Sequence, residues 1–295
     1  ESELVELGGQ KFALGCPATE PRDLSAEVVR VSEAVGLREV KVASKDNPEG
    51  KGPQRTLRTV TGVIDPAVRY RVKSVDTKRT TSRPPAPFIT SSLQIAAANQ
   101  LGFATQRTMR TAQQLYEGVA IPGEGQVGLI TYMRTDSTAL SGEAIGQLTG
   151  FIGKHYGEAY LPDKPNIYTS ANKDAQEAHE AIRPTDINRR PEDLRDALTE
   201  EQYKLYSLIW ARTVACQMTP AQWDATSVLS ERADQPTGAV LKATGRTLAF
   251  DGFLRVLGVQ AADEQMLPAL KENQALGAFS VEPLQWCFPV AGCLA

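Results

Sequence analysis

Cysteine and histidine are scarce. The 295 residues hold four cysteines, Cys16, Cys216, Cys287 and Cys293, and none forms a CxxC pair. That spacing argues against a zinc ribbon and against a disulfide framework, and it fits a reducing cytoplasm. There are two histidines, and HEAIRP (His179–Pro184) is not HExxH, so a zinc-protease site is not indicated. No GxGxxG and no GxxxxGKS/T occurs; GEGQVG (Gly123–Gly128) lacks the lysine, opens no helix and reads as a turn. No run is apolar enough to span a bilayer, and the N-terminal ESELVELGG lacks the basic and apolar stretches of a signal peptide. No Ser-His-Asp arrangement is visible by motif. A first residue of glutamate suggests a chain taken from something longer.

Charge is unevenly spread. The net charge is −3, yet residues 54–134 carry eleven Lys and Arg against four Asp and Glu, leaving an acidic remainder. A basic middle is compatible with a polyanion along one face, and equally with a solvated charge run on a hairpin.

The pattern divides the chain. Val68, Tyr70 and Val72 alternate with Arg69, Arg71 and Lys73, so the first eighty or so residues read as β structure with loops, one of them at Asn47–Pro53. SRPPAPFITSS (Ser82–Ser92) is a stiff proline connection that forbids a helix until Pro87 is passed. Helical patterns follow. One has Thr90, Ser91 and Ser92 as candidate caps and Leu93, Ala97 and Leu101 on a face. The next runs from Thr105 to Glu117 with Met109, Ala112 and Tyr116 aligned and Gly118 as terminator. A third spans Ser141–Tyr156, with Ile145, Leu148, Ile152 and His155 aligned. Thr199–Gln202 has the form of a capping box, flanked by Leu198 and Tyr203, before a helix to Cys216. After Pro220 the period returns to two. The predicted fold class is therefore α+β and multi-domain: a discontinuous β-rich domain, residues 1–86 and 219–295, with a mainly helical domain, 87–218, inserted. LQWCFPVAGCLA (284–295) matches neither pattern.

Two clusters could carry chemistry. In GLITYMRTDS (128–137) an apolar run, Val127–Met133, reads as a buried strand and ends in Tyr132, with Arg134 two residues on. On an extended chain the two side chains share a face. A phenol, with a pKa near ~10, becomes a nucleophile when adjacent positive charge stabilises its phenolate or a base takes its proton. Arg134 could steady the phenolate or grip a phosphate, and Asp136 and Ser137 could orient that arginine or cap the turn. The competing reading is a packed ring with its hydroxyl at the surface. The second cluster is QEAHEAIRPTD (Gln176–Asp186), where His179 and Arg183 would share a helix face that Pro184 ends. A phosphodiester-binding pair and a plain surface salt bridge both satisfy that spacing.

GLITYMRTDS resembles the active-site segment of bacterial type IA DNA topoisomerases. PPAPFITSSLQ (Pro84–Gln94), LGFATQRTMRTAQQLYEG (Leu101–Gly118), EAHEAIRPTD (Glu177–Asp186) and, less specifically, FDGFLRV (Phe250–Val256) resemble that family's blocks in the same order, over roughly 82–259. The resemblance implies ATP-independent cleavage of one DNA strand through a 5′-phosphotyrosine, strand passage and religation, relaxing negatively supercoiled DNA. It implies Tyr132 as nucleophile, Arg134 as phosphate-positioning group and His179 beside them. Arg183, Asp136, Gln94, Arg107 and Thr108 are implied as DNA-contacting or supporting residues. By the same resemblance the β-rich domain is a hinge and the helical insert is the tyrosine-bearing part of a toroid. Nothing in 1–81 resembles the family's acidic Mg²⁺-binding domain, and no zinc ribbon is present. The implied Mg²⁺ would have its ligands outside this fragment, which alone would be inactive. The implied partner is a single-stranded segment of DNA, with no nucleotide or membrane, acting on a cytoplasmic monomer. A non-catalytic DNA-binding module, and a tyrosine recombinase or type IB enzyme forming a 3′-phosphotyrosine, are the alternatives.

Overall fold

The computed structural model describes residues 2–12, 25–49, 56–168, 180–235, 238–258 and 265–277. Its secondary structure is mixed α and β, and its contacts fall into two compact units. Unit 1 comprises Glu1–Lys78, Ala225–Thr247 and Gln265–Ala295; unit 2 comprises Arg79–Asp224 and Leu248–Glu264. The 284–295 stretch lies outside the described residues.

Unit 1 contains most of a five-stranded sheet of order β2-β1-β9-β8-β5, formed by Glu3–Leu7 (β1), Gln10–Lys11 (β2), Tyr70–Ser82 (β5), Ala221–Arg232 (β8) and Ala239–Phe250 (β9). It also contains an antiparallel hairpin of Leu37–Asp46 (β3) and Thr56–Ile64 (β4). Val68, Tyr70 and Val72 are all buried, as the period-two pattern predicts. The sequence reading missed one helix, Ser25–Ala34 (α1), none of whose residues is buried. Tertiary bonds hold its C-terminal end. The Tyr70 hydroxyl donates to the Val35 carbonyl at 2.9 Å, and Arg232 Nη1 donates to the Ala34 carbonyl at 2.9 Å. Those are carbonyls that a helix end cannot satisfy internally. Burial pushes the Tyr70 phenol up to about 12, against the opposing Arg232 charge, so this tyrosine is a structural donor.

The basic face of β5 is not free. Arg71 Nη2 meets Glu231 at 2.8 Å, and Lys73 lies 3.7 Å from Glu6 and 3.9 Å from Glu231. Carboxylates from distant parts of the chain thus offset the charges of Arg71 and Lys73, on a strand that pairs with β8 rather than in a hairpin.

Unit 2 is built on helices Thr90–Leu101 (α2), Thr105–Glu117 (α3), Gly142–His155 (α4) and Glu200–Cys216 (α5), with a short helix, Leu254–Leu257 (α6). A small antiparallel hairpin, Val119–Ile121 (β6) and Gly125–Val127 (β7), follows α3. The helix boundaries fall where punctuation places them. Gly118, at φ 126°, ends α3 and its N–H donates to Gln114. Ser141 caps α4 by accepting from the Ala144 N–H at 3.2 Å. Thr199 and Gln202 bond each other's backbone reciprocally at the start of α5. At α2 the cap is Ile89 rather than a hydroxyl residue, and Ser92 reaches back to accept the Ile89 N–H at 3.0 Å. Thr90 is thereby released for a different task.

The buried faces differ in detail from the expected ones. On α3, Thr108, Thr111, Ala112 and Leu115 are buried while Tyr116 is exposed; on α4, Phe151 takes the inward place expected of His155, which is exposed. The core joins Leu93, Leu115, Leu129, Ile130, Ile152, Ile182, Leu205 and Ile209, all essentially free of solvent. Such a core of interdigitated aliphatic side chains fixes what lies on its rim to within small displacements.

Candidate active site

The segment expected to be a strand through Met133 is extended but is not a regular strand. Ladder pairing stops at Val127, and beyond it only an isolated bridge, Ile130 with Pro184, is formed. The segment is threaded through the core instead, and its backbone groups find partners on three sides. The Leu129 N–H donates to the Leu115 carbonyl at 2.8 Å, the Thr131 N–H to Arg183 at 2.9 Å, and the Thr185 N–H to Leu129 at 3.0 Å. Burial without a sheet is possible because each polar group is matched individually.

The second cluster is corrected more strongly. Glu180–Asp186 is extended, so the helix expected to run to Pro184 is not formed over those residues. Pro184 disfavours the α conformation for Arg183, and the Ile182 N–H is taken by Phe88 at 2.8 Å. His179 lies outside the described residues.

Past the bridge, exposure alternates. Leu129, Ile130, Met133, Thr135 and Ser137 are buried, while Tyr132, Arg134 and Asp136 face outward. Four hydroxyls impose this. Thr131 Oγ1 donates to the Ala181 carbonyl at 2.7 Å and accepts the Arg183 N–H at 3.0 Å. Thr90 Oγ1 donates to the Met133 carbonyl at 2.8 Å and the Thr135 carbonyl at 3.1 Å, and accepts the Thr135 N–H at 2.9 Å. Thr135 Oγ1 then accepts from the Ser137 N–H at 3.1 Å, and Ser137 Oγ from the Ala139 N–H at 3.2 Å. Tyr132 and Arg134 therefore stand on backbone clamped at both ends. These threonines were missed from the sequence. The signal available was a hydroxyl residue at each odd position from 131 to 137 except 133.

Tyr132 is 42% exposed, and its ring meets that of Tyr116 edge to face, centroids 5.4 Å apart. Arg134 makes no ion pair among the described residues, and none joins it to Asp136, so the suggestion that Asp136 orients Arg134 is not realised here. An exposed guanidinium without a carboxylate partner keeps its donors available for an anion.

The remaining candidates separate. Arg183 is only 16% exposed in its side chain and is committed to Glu180, at 2.6 Å and 3.1 Å, and to the Pro184 carbonyl. The other Glu180 oxygen accepts the Ser141 N–H at 2.7 Å, so a distant carboxylate completes the start of α4. Burial would push the Glu180 carboxyl up, but the bonds from Ser141 and Arg183 outweigh it and hold it below the usual range. Thr108 is buried and donates back to Ala104, which makes it a packing position rather than a surface contact. Arg107 is exposed, 3.6 Å from Glu201 and over the Phe103 ring; Gln94 is half-buried on α2. Asp186 accepts from the Asn188 backbone at 2.9 Å. Cys216 is sealed in the core, where burial pushes its thiol up to about 12, so it offers no thiolate. Among the described residues no three His, Cys, Asp or Glu side chains are placed to hold a metal ion.

A family model described as DNA topoisomerase matches residues 38–285. The chain belongs to the bacterial DNA topoisomerase family. DNA topoisomerase 1 of Vibrio cholerae is 46% identical over 245 residues, 83% of this chain and 26% of that protein. The Pseudomonas aeruginosa DNA topoisomerase 1 is 47% identical over 74% of this chain and 24% of its own length. The full-length topoisomerase I structure from Thermotoga maritima superposes with a TM-score of 0.61 at 28% identity, covering 86% of this chain and 44% of that one. The chain thus spans about a quarter of the curated topoisomerases it matches. Among the described residues no helix is long and apolar enough to cross a membrane.

Proposed function

We propose that this chain supplies the nucleophile-bearing part of an ATP-independent type IA DNA topoisomerase, with Tyr132 as the nucleophile and Arg134 as the phosphate-positioning group. One observation carries the reading. Within the topoisomerase-like GLITYMRTDS block, a phenol and a guanidinium that makes no ion pair among the described residues emerge on the same side of a clamped backbone, both open to solvent. Preorganised groups of this kind need no rearrangement when charge develops.

In this reading the Tyr132 Oη attacks a phosphodiester phosphorus of single-stranded DNA. The new bond joins the phenolic oxygen to the 5′ phosphate, the bond from phosphorus to the 3′ oxygen breaks, and the phenolic proton is balanced by one gained at the 3′ hydroxyl. Arg134 donates to the non-bridging oxygens, where negative charge accumulates. Reversal reseals the strand after another strand has passed, relaxing negative supercoils. His179 joins the two on the strength of its sequence block alone. Arg107, Gln94 and Asp136 are proposed DNA contacts or supports; Arg183 supports through Glu180. The reaction's Mg²⁺ would take its ligands outside the described residues, and no step here runs through it. The domain reading belongs to the same proposal: a discontinuous β-rich hinge (1–86, 219–295) and a tyrosine-bearing helical domain (87–218) of a monomeric, cytoplasmic toroid; by contacts, Leu248–Glu264 groups with the helical unit instead.

The test is Tyr132→Phe in a polypeptide of full family length carrying this chain. Labelled DNA should no longer remain attached to the protein on a denaturing gel; persistence of the adduct would remove Tyr132 from the role.

A further inference from the structure

Tyr116 is exposed on a helix whose inward face is filled by Thr108, Thr111, Ala112 and Leu115, so the core makes little use of its ring. That ring is nevertheless held against Tyr132, centroids 5.4 Å apart at an interplanar angle of 64°. Three features of the backbone hold it there. Gly128, four residues before Tyr132, passes so close that an added Cβ would sit 2.8 Å from the Tyr116 carbonyl oxygen. Its conformation is not left-handed, so glycine is needed for proximity alone. The adjacent Leu129 N–H then donates to the Leu115 carbonyl at 2.8 Å, tying the end of α3 to the start of the tyrosine segment. Gly118, at φ 126°, turns the chain out of α3 directly afterwards.

We infer that Tyr116 is a positioning residue for the Tyr132 ring: its edge-to-face contact selects the orientation in which the Tyr132 hydroxyl is presented, and the Gly128 approach sets the distance. The inference rests on the reading of Tyr132 as nucleophile and adds a residue that acts through it. A phenol that is 42% exposed has two torsions to settle. A neighbouring ring, fixed by its own backbone, restrains them without burying the hydroxyl. An aromatic pair of this geometry is worth enough to favour one orientation several-fold.

The test is single-turnover cleavage of a single-stranded oligonucleotide at saturating DNA, in a polypeptide of full family length carrying this chain. Tyr116→Phe keeps the ring and should cleave within about twofold of wild type, whereas Tyr116→Ala should cleave roughly tenfold more slowly, a change matching about one aromatic contact. DNA affinity should be the same in all three proteins, since on this inference the ring is not a DNA contact, and Tyr116→Ala should melt lower by no more than the few degrees that about one aromatic contact is worth. Wild-type cleavage by Tyr116→Ala overturns the proposal. A loss confined to DNA affinity overturns it too, by making Tyr116 a docking contact. So does a rate loss that tracks a lowered melting temperature and is not rescued by phenylalanine. Retention of the adduct by Tyr132→Phe is a separate result, which defeats the nucleophile assignment instead.

Discussion

Thr90→Val tests whether the clamp beneath Tyr132 and Arg134 works as its geometry implies. The substitution keeps the β-branched shape at the first residue of α2 and removes one hydroxyl. That hydroxyl donates to the carbonyls of Met133 and Thr135 and accepts the Thr135 N–H. The Thr135 carbonyl keeps a second donor, the Thr90 N–H at 2.9 Å, so its loss is small. The Thr135 N–H has no such reserve and sits in a buried residue. An unsatisfied buried donor costs about 1–3 kcal/mol and the lost bond to Met133 about 1 kcal/mol more, so the total is roughly 2–4 kcal/mol. For a unit of this size that lowers the melting temperature by roughly 4–16 °C. Thermal unfolding followed by circular dichroism reads it directly. Thr90→Ser restores the hydroxyl and should recover most of the loss. If Thr90→Val melts within about 1 °C of wild type, the hydroxyl is not holding the segment and the account of how Tyr132 and Arg134 are presented is wrong.

The other predictions concern charge and capping. Arg134→Ala should slow cleavage by roughly 10²-fold or more, the scale for losing one preorganised donor to a transition state, with a much smaller loss of DNA affinity; equal losses would reduce Arg134 to a docking contact. Glu180 is held below the usual carboxylate range, so its contribution is complete above the unfolded value, roughly 4.3, and disappears as pH falls through the lower folded value. Glu180→Gln should accordingly melt below wild type at neutral pH, with the gap closing on acidification; a gap constant from neutral to strongly acidic pH refutes the assignment. Thr199→Ala removes the cap of α5 and should cost about 1 kcal/mol; unchanged melting would mean that the helix start is held by something other than its capping box.

Local chemistry was readable from the residues alone wherever its cause was local. The ends of α3 and α4, the capping box of α5, the proline connection before α2 and the buried alternation of Val68, Tyr70 and Val72 all follow from capping preferences, restricted dihedrals and periodicity. The order of the topoisomerase-like blocks is likewise a property of the chain. Tertiary structure decided what depends on partners distant in sequence. The run through Tyr132 reads as a strand because it is apolar and extended, yet its partners are a helix end, one threonine and the 180–185 segment. The helix expected around Arg183 gives way because Pro184 and pairing with Phe88 outweigh apparent helical spacing. Part of the positive excess of residues 54–134 is offset by folding, since Arg71, Lys73, Arg79 and Arg107 take carboxylates from Glu231, Glu6, Asp224 and Glu201. Spacing along the chain specifies which side chains share a local face. Which of them stays unpaired, as Arg134 does among the described residues, depends on what folding brings opposite, and only the packed structure specifies that.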